Sequence, residues 1–513
     1  EPTGAIFYDT ASGEWLPVPP EPLPFVEPPG LPHRIGGSSA AGDRNAPSWV
    51  FNARANVAFS EDGEEYLVTA ALGVDADGAA QGAVVLSWWN ESSGAWQMVQ
   101  EELGRDAAPR CLTTFLVEDR DGFAWRFVAV GSAPDDGAPT GDAVQVYRWA
   151  QNVTRADARL VHHHVAPVAL RGGASTSPAS GLPVPTALSV EQLTTFEAGG
   201  YTFLAAAVAG AAAAPGAALD TRAMSFVWRW NPLGSTVLAD GSVGQGSGFE
   251  VFQLLEDCAA AAHVRTMRGA AGPADRVVMA CYAAPPAGEL VSYVWSPQVQ
   301  NEVMQARVGR LGVDQRLSVP APVSSEPLSV AGHDYLMVAT NGDWAPANPT
   351  PAAAPPAAAL TSFCWDASVG KLSAQGDGTC APIVRAGYGR ADLAGILGMK
   401  AFEADGEVYL AVGQALCSAA GRAKADFKRE ACLSQQGAGE LEAPRARVLQ
   451  FNRVRGELGP VAAMTDAASV RDHGIPVPDV ELAMHEQDLR PGVGLVAGWE
   501  HVHAGGRTML ISA

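Results

Sequence analysis

Apolar residues along this chain come in short runs, many alternating with polar ones and closed by Gly, Asp or Asn, which predicts β-strands joined by tight turns. The runs come in pairs. Residues 57–59 lead through Gly63 to Tyr66-Leu67-Val68-Thr69-Ala70. The same step joins 112–117 to 127–130, 193–196 to 203–205, 264–267 to 277–280, 328–330 to 335–339 and 399–402 to 409–412. After a loop a third run ends at an aromatic residue, as in 84–89 or 143–149, and a fourth begins beyond a tight turn, as in 95–99. Second runs such as 127–130 are almost wholly apolar, the pattern of a strand buried on both faces.

The turn between third and fourth runs carries a phrase: an aromatic residue, Asn or Asp, three variable residues, Gly, one residue, then Trp or Leu. It reads Tyr8-Asp9 to Trp15, Trp89-Asn90 to Trp96, Trp365-Asp366 to Leu372 and Phe451-Asn452 to Leu458, with degenerate copies after Trp149, Trp230 and Trp295. Anchors at 8, 89, 149, 230, 295, 365 and 451 are spaced like the blades of a propeller. Six units occupy about 52–480. The segment 482–513 supplies two inner strands and 1–16 two outer strands, so the ends are expected to share a closing blade and remove a sheet edge. The expected fold is all-β: a single seven-bladed propeller of four-stranded blades spanning 1–513, with a Pro/Gly-rich linker at 17–49. The unit at 264–295 lacks the inner Gly turn and the Tyr-Leu pair.

These strand and turn phrases resemble the epilepsy-associated repeat (EAR or EPTP) of extracellular seven-bladed propellers. The resemblance covers nearly the whole chain and implies a secreted or ectodomain module that binds proteins. The central ion site of some family members has no matching residue set here, so neither a metal ion nor a cofactor is expected.

Composition narrows the partners. The chain has 55 acidic against 34 basic residues and a formal net charge of −21, which disfavours nucleic acid and anionic membrane surfaces. The most apolar stretch, 203–219, is mostly Ala and Gly with a Pro inside it, and no membrane span is expected. Six of seven cysteines fall into neighbours: Cys258 with Cys281, Cys364 with Cys380, Cys417 with Cys432. Local pairing predicts three disulfides in an oxidising compartment, each closing a loop of roughly 16 to 24 residues, with Cys111 left over. Sequons at Asn90 and Asn152 follow adjacent aromatic anchors, where hairpin turns would expose them to glycosylation.

Candidate chemistry is sparse. Gly-x-Ser-x-Gly, P-loop and HExxH motifs are absent. His162-His163-His164 is the most tempting cluster, but neighbours on a strand alternate faces, so the three are expected as solvated strand-end residues rather than ligands. His501 and His503 share one face of the last inner strand and are expected to form a packed, hydrogen-bonded pair. A propeller glycosidase needs carboxylates near its channel. Asp62, Glu118, Glu197, Glu403 and Glu486 lie on or near inner strands, mostly beside turn glycines, and the sialidase Ser-x-Asp-x-Gly-x-x-Trp box is missing.

The expected function is therefore non-enzymatic: a secreted protein-interaction or structural module at a cell surface, with no catalytic residue. Its insertions at 17–49, 131–142, 207–222, 340–360 and 413–445 gather on one face, where an extracellular protein partner is expected to dock, with any glycans opposite. The alternative is a carbohydrate-binding or glycosidase-like propeller, which an exposed aromatic platform flanked by acids would favour.

Overall fold

Every pairing between the named strands is antiparallel, as hairpins built on tight turns require. The computed structural model describes the strands and their adjoining turns within 5–17, 52–104, 108–133, 143–209, 224–340, 359–373, 383–414, 446–460 and 498–512, with short gaps inside these spans. The chain is an all-β propeller of four-stranded antiparallel blades.

Blade 1 holds β3 (Asn52–Glu61), β4 (Glu64–Val74), β5 (Ala80–Asn90) and β6 (Ala95–Gly104); blade 2 holds β7 (Ala108–Glu118), β8 (Ala124–Ala133), β9 (Val144–Ala150) and β10 (Arg159–Val165). Blade 3 is β11 (Ser189–Ala198), β12 (Tyr201–Ala209), β13 (Ser225–Asn231) and β16 (Gly248–Leu255), with a two-stranded hairpin, β14 (Ser235–Val237) and β15 (Val243–Gln245), between its last two strands. Blade 4 is β17 (Ala261–Arg268), β18 (Asp275–Tyr282), β19 (Gly288–Ser296) and β20 (Arg310–Ser318). Blade 5 is β21 (Pro322–Val330), β22 (His333–Thr340), β23 (Ala359–Asp366) and β24 (Lys371–Ser373); blade 6 is β25 (Ile396–Ala404), β26 (Glu407–Gln414), β27 (Ala446–Asn452) and β28 (Glu457–Pro460). A further four-stranded sheet joins the chain ends in the order β2 (Glu14–Pro17), β1 (Ala5–Asp9), β30 (Arg507–Ser512), β29 (Trp499–Ala504), with Ala5 opposite Ile511 and Tyr8 opposite Thr508.

In blades 1, 3 and 5 the first and second strands are joined by two-residue turns whose central residues both have positive φ: 53° and 80° at Asp62-Gly63, 57° and 79° at Gly199-Gly200, 52° and 79° at Ala331-Gly332. That geometry matches the right-handed twist of the strands and explains the Gly between the first and second runs. The register it sets places a stacked ring pair across the two strands: Phe59 with Tyr66, Phe115 with Phe127, Phe196 with Phe203 and Phe402 with Tyr409, at 5.0–5.5 Å.

The aromatic anchor of the following blade seats on this pair. Trp149 lies 4.5 Å from Tyr66, Trp230 4.7 Å from Phe127 and Trp295 5.3 Å from Phe203. Gly309 (φ 87°) is needed beside one such anchor, because a Cβ there would lie 2.5 Å from the Trp295 ring. Blade 4 departs from the pattern. Met267 and Arg276 stand where the ring pair would be, and the guanidinium of Arg276 sits 4.5 Å from the centroid of Trp365. Cation–π attraction thus replaces ring stacking, and Asp314 pairs with Arg276.

The outer strands are tied by a second device. In the fourth strand a β-bulge precedes a Gln whose side-chain amide mimics a backbone, donating to and accepting from one residue of the next blade's fourth strand. Gln100 holds Leu160 at 2.9 and 2.6 Å, Gln253 holds Leu311 at 2.8 and 2.8 Å, and Gln315 holds Leu372 at 2.7 and 2.9 Å. Leu372 closes the recurring turn phrase, so that apolar position is also the clamp's receiving residue. Between blades 5 and 6 a backbone group does the same work, Leu458 N–H donating to the Ile383 carbonyl at 2.7 Å.

Between blades 2 and 3 the clamp is a histidine, which corrects the expectation of solvated strand-end histidines. His163 is the bulge residue and His164, 1% exposed, accepts the Phe249 N–H at Nε2, 3.0 Å away. The proton of neutral His164 therefore sits on Nδ1, which donates to His163 Nδ1 at 2.6 Å. Burial, then Arg148 and His162, pulls His163 down to about 4; burial, then His163 and His162, pulls His164 down to about 3.

Cys258 and Cys281 form a disulfide between the end of blade 3 and β18, and Cys111 is a buried free thiol. Cys364 is also disulfide-bonded, while Cys380, Cys417 and Cys432 lie outside the described residues. Asn90 ends β5, where it accepts hydrogen bonds from the amide and hydroxyl of Ser92 in the following turn; Asn152 lies outside the described residues.

The histidine clamp makes this seam acid-labile. Both imidazoles are neutral when folded, whereas the unfolded chain binds protons near pH 6.5. Their contribution is fully present above that value and is lost as pH falls from about 6.5 toward about 4. Replacing His164→Gln should supply the amide used at other seams, leave the urea midpoint near its original value at about pH 7.5, and shrink its fall at about pH 4.5. His164→Ala should cost about 1–3 kcal/mol at neutral pH by leaving the Phe249 N–H unpaired. An equal acid loss in wild type and His164→Gln would refute the assignment.

Candidate functional site

The inner strands bring charged residues to one register position. Counting two residues back from the core position that faces the next blade gives Val57, Thr113 and Thr194 in blades 1–3. The same count gives Arg265, Glu326, Lys400 and Glu500 in blades 4, 5, 6 and the closing sheet. The sign alternates around this arc, and each cation reaches forward to the next anion. Arg265 Nε donates to Glu326 Oε2 at 3.0 Å, and Lys400 Nζ lies 3.3 Å from both oxygens of Glu500. Glu326 spans the remaining gap by accepting the Ala401 N–H at 3.1 Å on its other oxygen. The two carboxylates thus approach adjacent residues of β25 from its two flanking strands.

Their surroundings differ. The Glu326 side chain is 8% exposed and held by two donors; that of Glu500 is 15% exposed and faces one ammonium. Burial raises Glu500 above the ordinary carboxylate range against the pull of Lys400, and Glu326 adds to the rise. His501, the next residue, stacks 5.2 Å from Phe402, and its buried Nε2 has no hydrogen-bond partner among the described residues. Burial, then Lys400 and His503, lowers it to about 4. His503 is exposed, and the His501 ring packs on Phe402 of the neighbouring blade.

The carboxylates singled out from the sequence lie elsewhere. Asp62 is in a hairpin turn, and Glu118, Glu197 and Glu403 are exposed at the hairpin ends of β7, β11 and β25. Glu486 lies outside the described residues. Sequence reading missed the arc because its members sit in four separate runs. The available signal was their constant offset from Met267, Leu328, Phe402 and Val502, together with the alternation of sign. Among the described residues no group of three or more His, Cys, Asp or Glu could hold a metal ion, and no helix is long and apolar enough to cross a membrane.

No protein-family model and no curated protein matches the chain. Solved structures do. A GH32 beta-fructofuranosidase of Bombyx mori is 11% identical, with a TM-score of 0.29, over 69% of this chain and 64% of its own. A glycoside hydrolase family 43 arabinoxylan arabinofuranohydrolase of Bacillus subtilis is 10% identical, with a TM-score of 0.28, over 71% and 78%. The NanB sialidase of Streptococcus pneumoniae is 11% identical, with a TM-score of 0.31, over 80% and 60%. The chain therefore spans less than two thirds of the first and the last of these. Against the expectation of a non-enzymatic chain, each of these neighbours is a sugar-cleaving enzyme by its name, a property that is theirs. At such identities and scores the likeness is one of outline and assigns no residue a role.

Removing Lys400 tests the arc. Lys400→Met removes the ammonium hydrogen-bonded to Glu500 and should cost about 2 kcal/mol at neutral pH. Glu500 then protonates more readily, so the deficit should narrow on acidification in parallel urea titrations. A deficit independent of pH would refute the pairing.

Proposed function

We propose that this protein is a carbohydrate-active, glycosidase-like propeller whose reacting groups are Glu326 and Glu500. The carrying observation is that two inner-strand carboxylates meet one strand from opposite sides in unlike surroundings. Glycoside hydrolysis needs one carboxyl that keeps a proton for the leaving oxygen and one carboxylate that acts as base or nucleophile. Glu500, raised by burial, suits the first role. Glu326, hydrogen-bonded to Arg265 and the Ala401 amide, suits the second. Lys400 and Arg265 orient the pair and balance its charge.

In this reading the closing sheet completes a seven-bladed ring, because it carries Glu500 into the arc beside blade 6. The Cys258–Cys281 disulfide supports an oxidising, extracellular setting.

The test is hydrolysis of a panel of aryl glycosides across pH. Activity should fall as pH rises through the raised Glu500 value, because the protonated form donates. Glu500→Gln and Glu326→Gln should each lower kcat by about 10²–10⁴-fold in protein that keeps the wild-type circular dichroism spectrum at the assay temperature. A purified wild type that cleaves none of the panel, or folded variants with full activity, would overturn the reading.

A further inference from the structure

We propose that His263 is a positioning residue for the Glu326 carboxylate: it grips Ser325, the residue before Glu326, and so fixes the strand from which that carboxylate reaches Arg265 and Ala401. The inference rests on the role proposed above for Glu326. β17 and β21 are the inner strands of blades 4 and 5, and each ends its sheet with no strand on its other edge. On such an edge a backbone N–H has no ladder partner, so a side chain or water must take it. His263 on β17 takes the Ser325 N–H at Nδ1, 3.3 Å away, and the same nitrogen lies 3.1 Å from Ser325 Oγ. His263 is 8% exposed and Ser325 is fully buried, so neither bond is shared with bulk water.

The amide can only donate, so Nδ1 is the unprotonated nitrogen and the proton of the neutral ring sits on Nε2. The Ser325 hydroxyl is then a second donor to Nδ1. Burial, then Arg265, holds the imidazole well below its ordinary value and keeps it in this neutral, accepting form. Two residues further along β17, Arg265 Nε donates to Glu326 Oε2 at 3.0 Å. One strand of blade 4 thus holds two successive residues of β21, the first by its backbone and the second by its side chain. Glu326 Oε1 meanwhile accepts the Ala401 N–H of blade 6 at 3.1 Å, a bond that needs β21 kept in place between its neighbours.

The repeat does not require a histidine here. Counting four residues back from the core position gives Ala55, Cys111, Gln192, Ser324 and Gly398 in blades 1, 2, 3, 5 and 6. Cys111 makes a weaker contact of the same kind, its thiol 3.8 Å from the Val190 carbonyl of blade 3. Among these six blades the imidazole stands in the one that precedes Glu326. A carboxylate that attacks or takes a proton must be held to a fraction of an ångström, and the groups that support it set that precision. Truncating His263 would leave a buried amide unpaired one residue away from it.

Two variants of the full chain test the role. His263→Asn keeps a side-chain oxygen able to accept the Ser325 N–H, whereas His263→Leu is of similar size and accepts nothing. His263→Leu should lower kcat for aryl glycosides by about 10- to 100-fold with KM within about twofold, since an ångström of misplacement costs up to about 10²-fold. It should also speed hydrogen exchange at the Ala401 amide roughly two- to twelvefold, the worth of one hydrogen bond. His263→Asn should restore most of the rate and of the protection. In wild-type protein with isotope-labelled histidine, the nitrogen resonances that vanish in His263→Asn should report an unprotonated Nδ1, a measurement that needs no folded leucine variant. Wild-type kcat and exchange in folded His263→Leu, equal losses in the leucine and asparagine variants, or a protonated Nδ1 would each overturn the positioning role. Full activity of Glu326→Gln, or a wild type that cleaves no glycoside, would overturn the catalytic reading instead. Exchange at Ala401 would then decide by itself whether His263 places the Glu326 side chain.

Discussion

The fold depends on one contact made again at three successive seams: the aromatic anchors of blades 2, 3 and 4 seated on the cross-strand ring pair of the blade before. A four-stranded blade has two apolar faces and no core of its own. The Trp149, Trp230 and Trp295 anchors bury those faces between neighbours, and each is worth more than its area because ring geometry adds to burial. The seam around Trp365 shows that the requirement is for a surface the indole can sit on. Met267 and Arg276 satisfy it with an aliphatic stem and a guanidinium.

Two further constraints act at different radii. Near the periphery, Gln or His side chains tie edge strands that would otherwise expose unpaired backbone. Near the axis, charge alternation ties the inner strands of the second half of the chain. Apolar Val57 and the small hydroxyls of Thr113 and Thr194 occupy that position in the first half, so the inner surface is electrically lopsided. A ligand entering along the axis meets a polar arc on one side only.

The strands and their grouping were legible in the sequence because both are written locally. Alternation, a Gly-bearing turn and an aromatic anchor all lie within a few residues of one another, and Tyr66-Leu67 or Tyr409-Leu410 announces a buried second strand unaided. Bulges are not written that way. The one before His164 reverses the side on which the residue emerges, and a rule of strict alternation turned a buried clamp into a solvated triplet. Blade 4 was hard to register for a related reason: Arg276 does the work of a tyrosine, and a charged residue in a core slot looks like a surface position until its partners Trp365 and Asp314 are known. The candidate site was the least legible. Glu326 and Glu500 are far apart in the chain and acquire meaning only from the shared neighbour β25, while Asp62 and Glu118, conspicuous beside turns, lie away from it.

The sheet that joins the ends has a consequence for how the molecule comes to be made. Trp89, the anchor of blade 1, packs against Val502, Met509 and Ile511, which belong to the last two strands of the ring. During synthesis the first blade to emerge is therefore the last to find its seat. The anchors of later blades such as Trp149, Trp230 and Trp295 find their seat on a blade already made, but the indole of Trp89 waits until nearly the whole ring has been translated. The nascent chain must carry an unsatisfied hydrophobic surface for most of its time on the ribosome, and that surface is where a chaperone has its longest opportunity to bind.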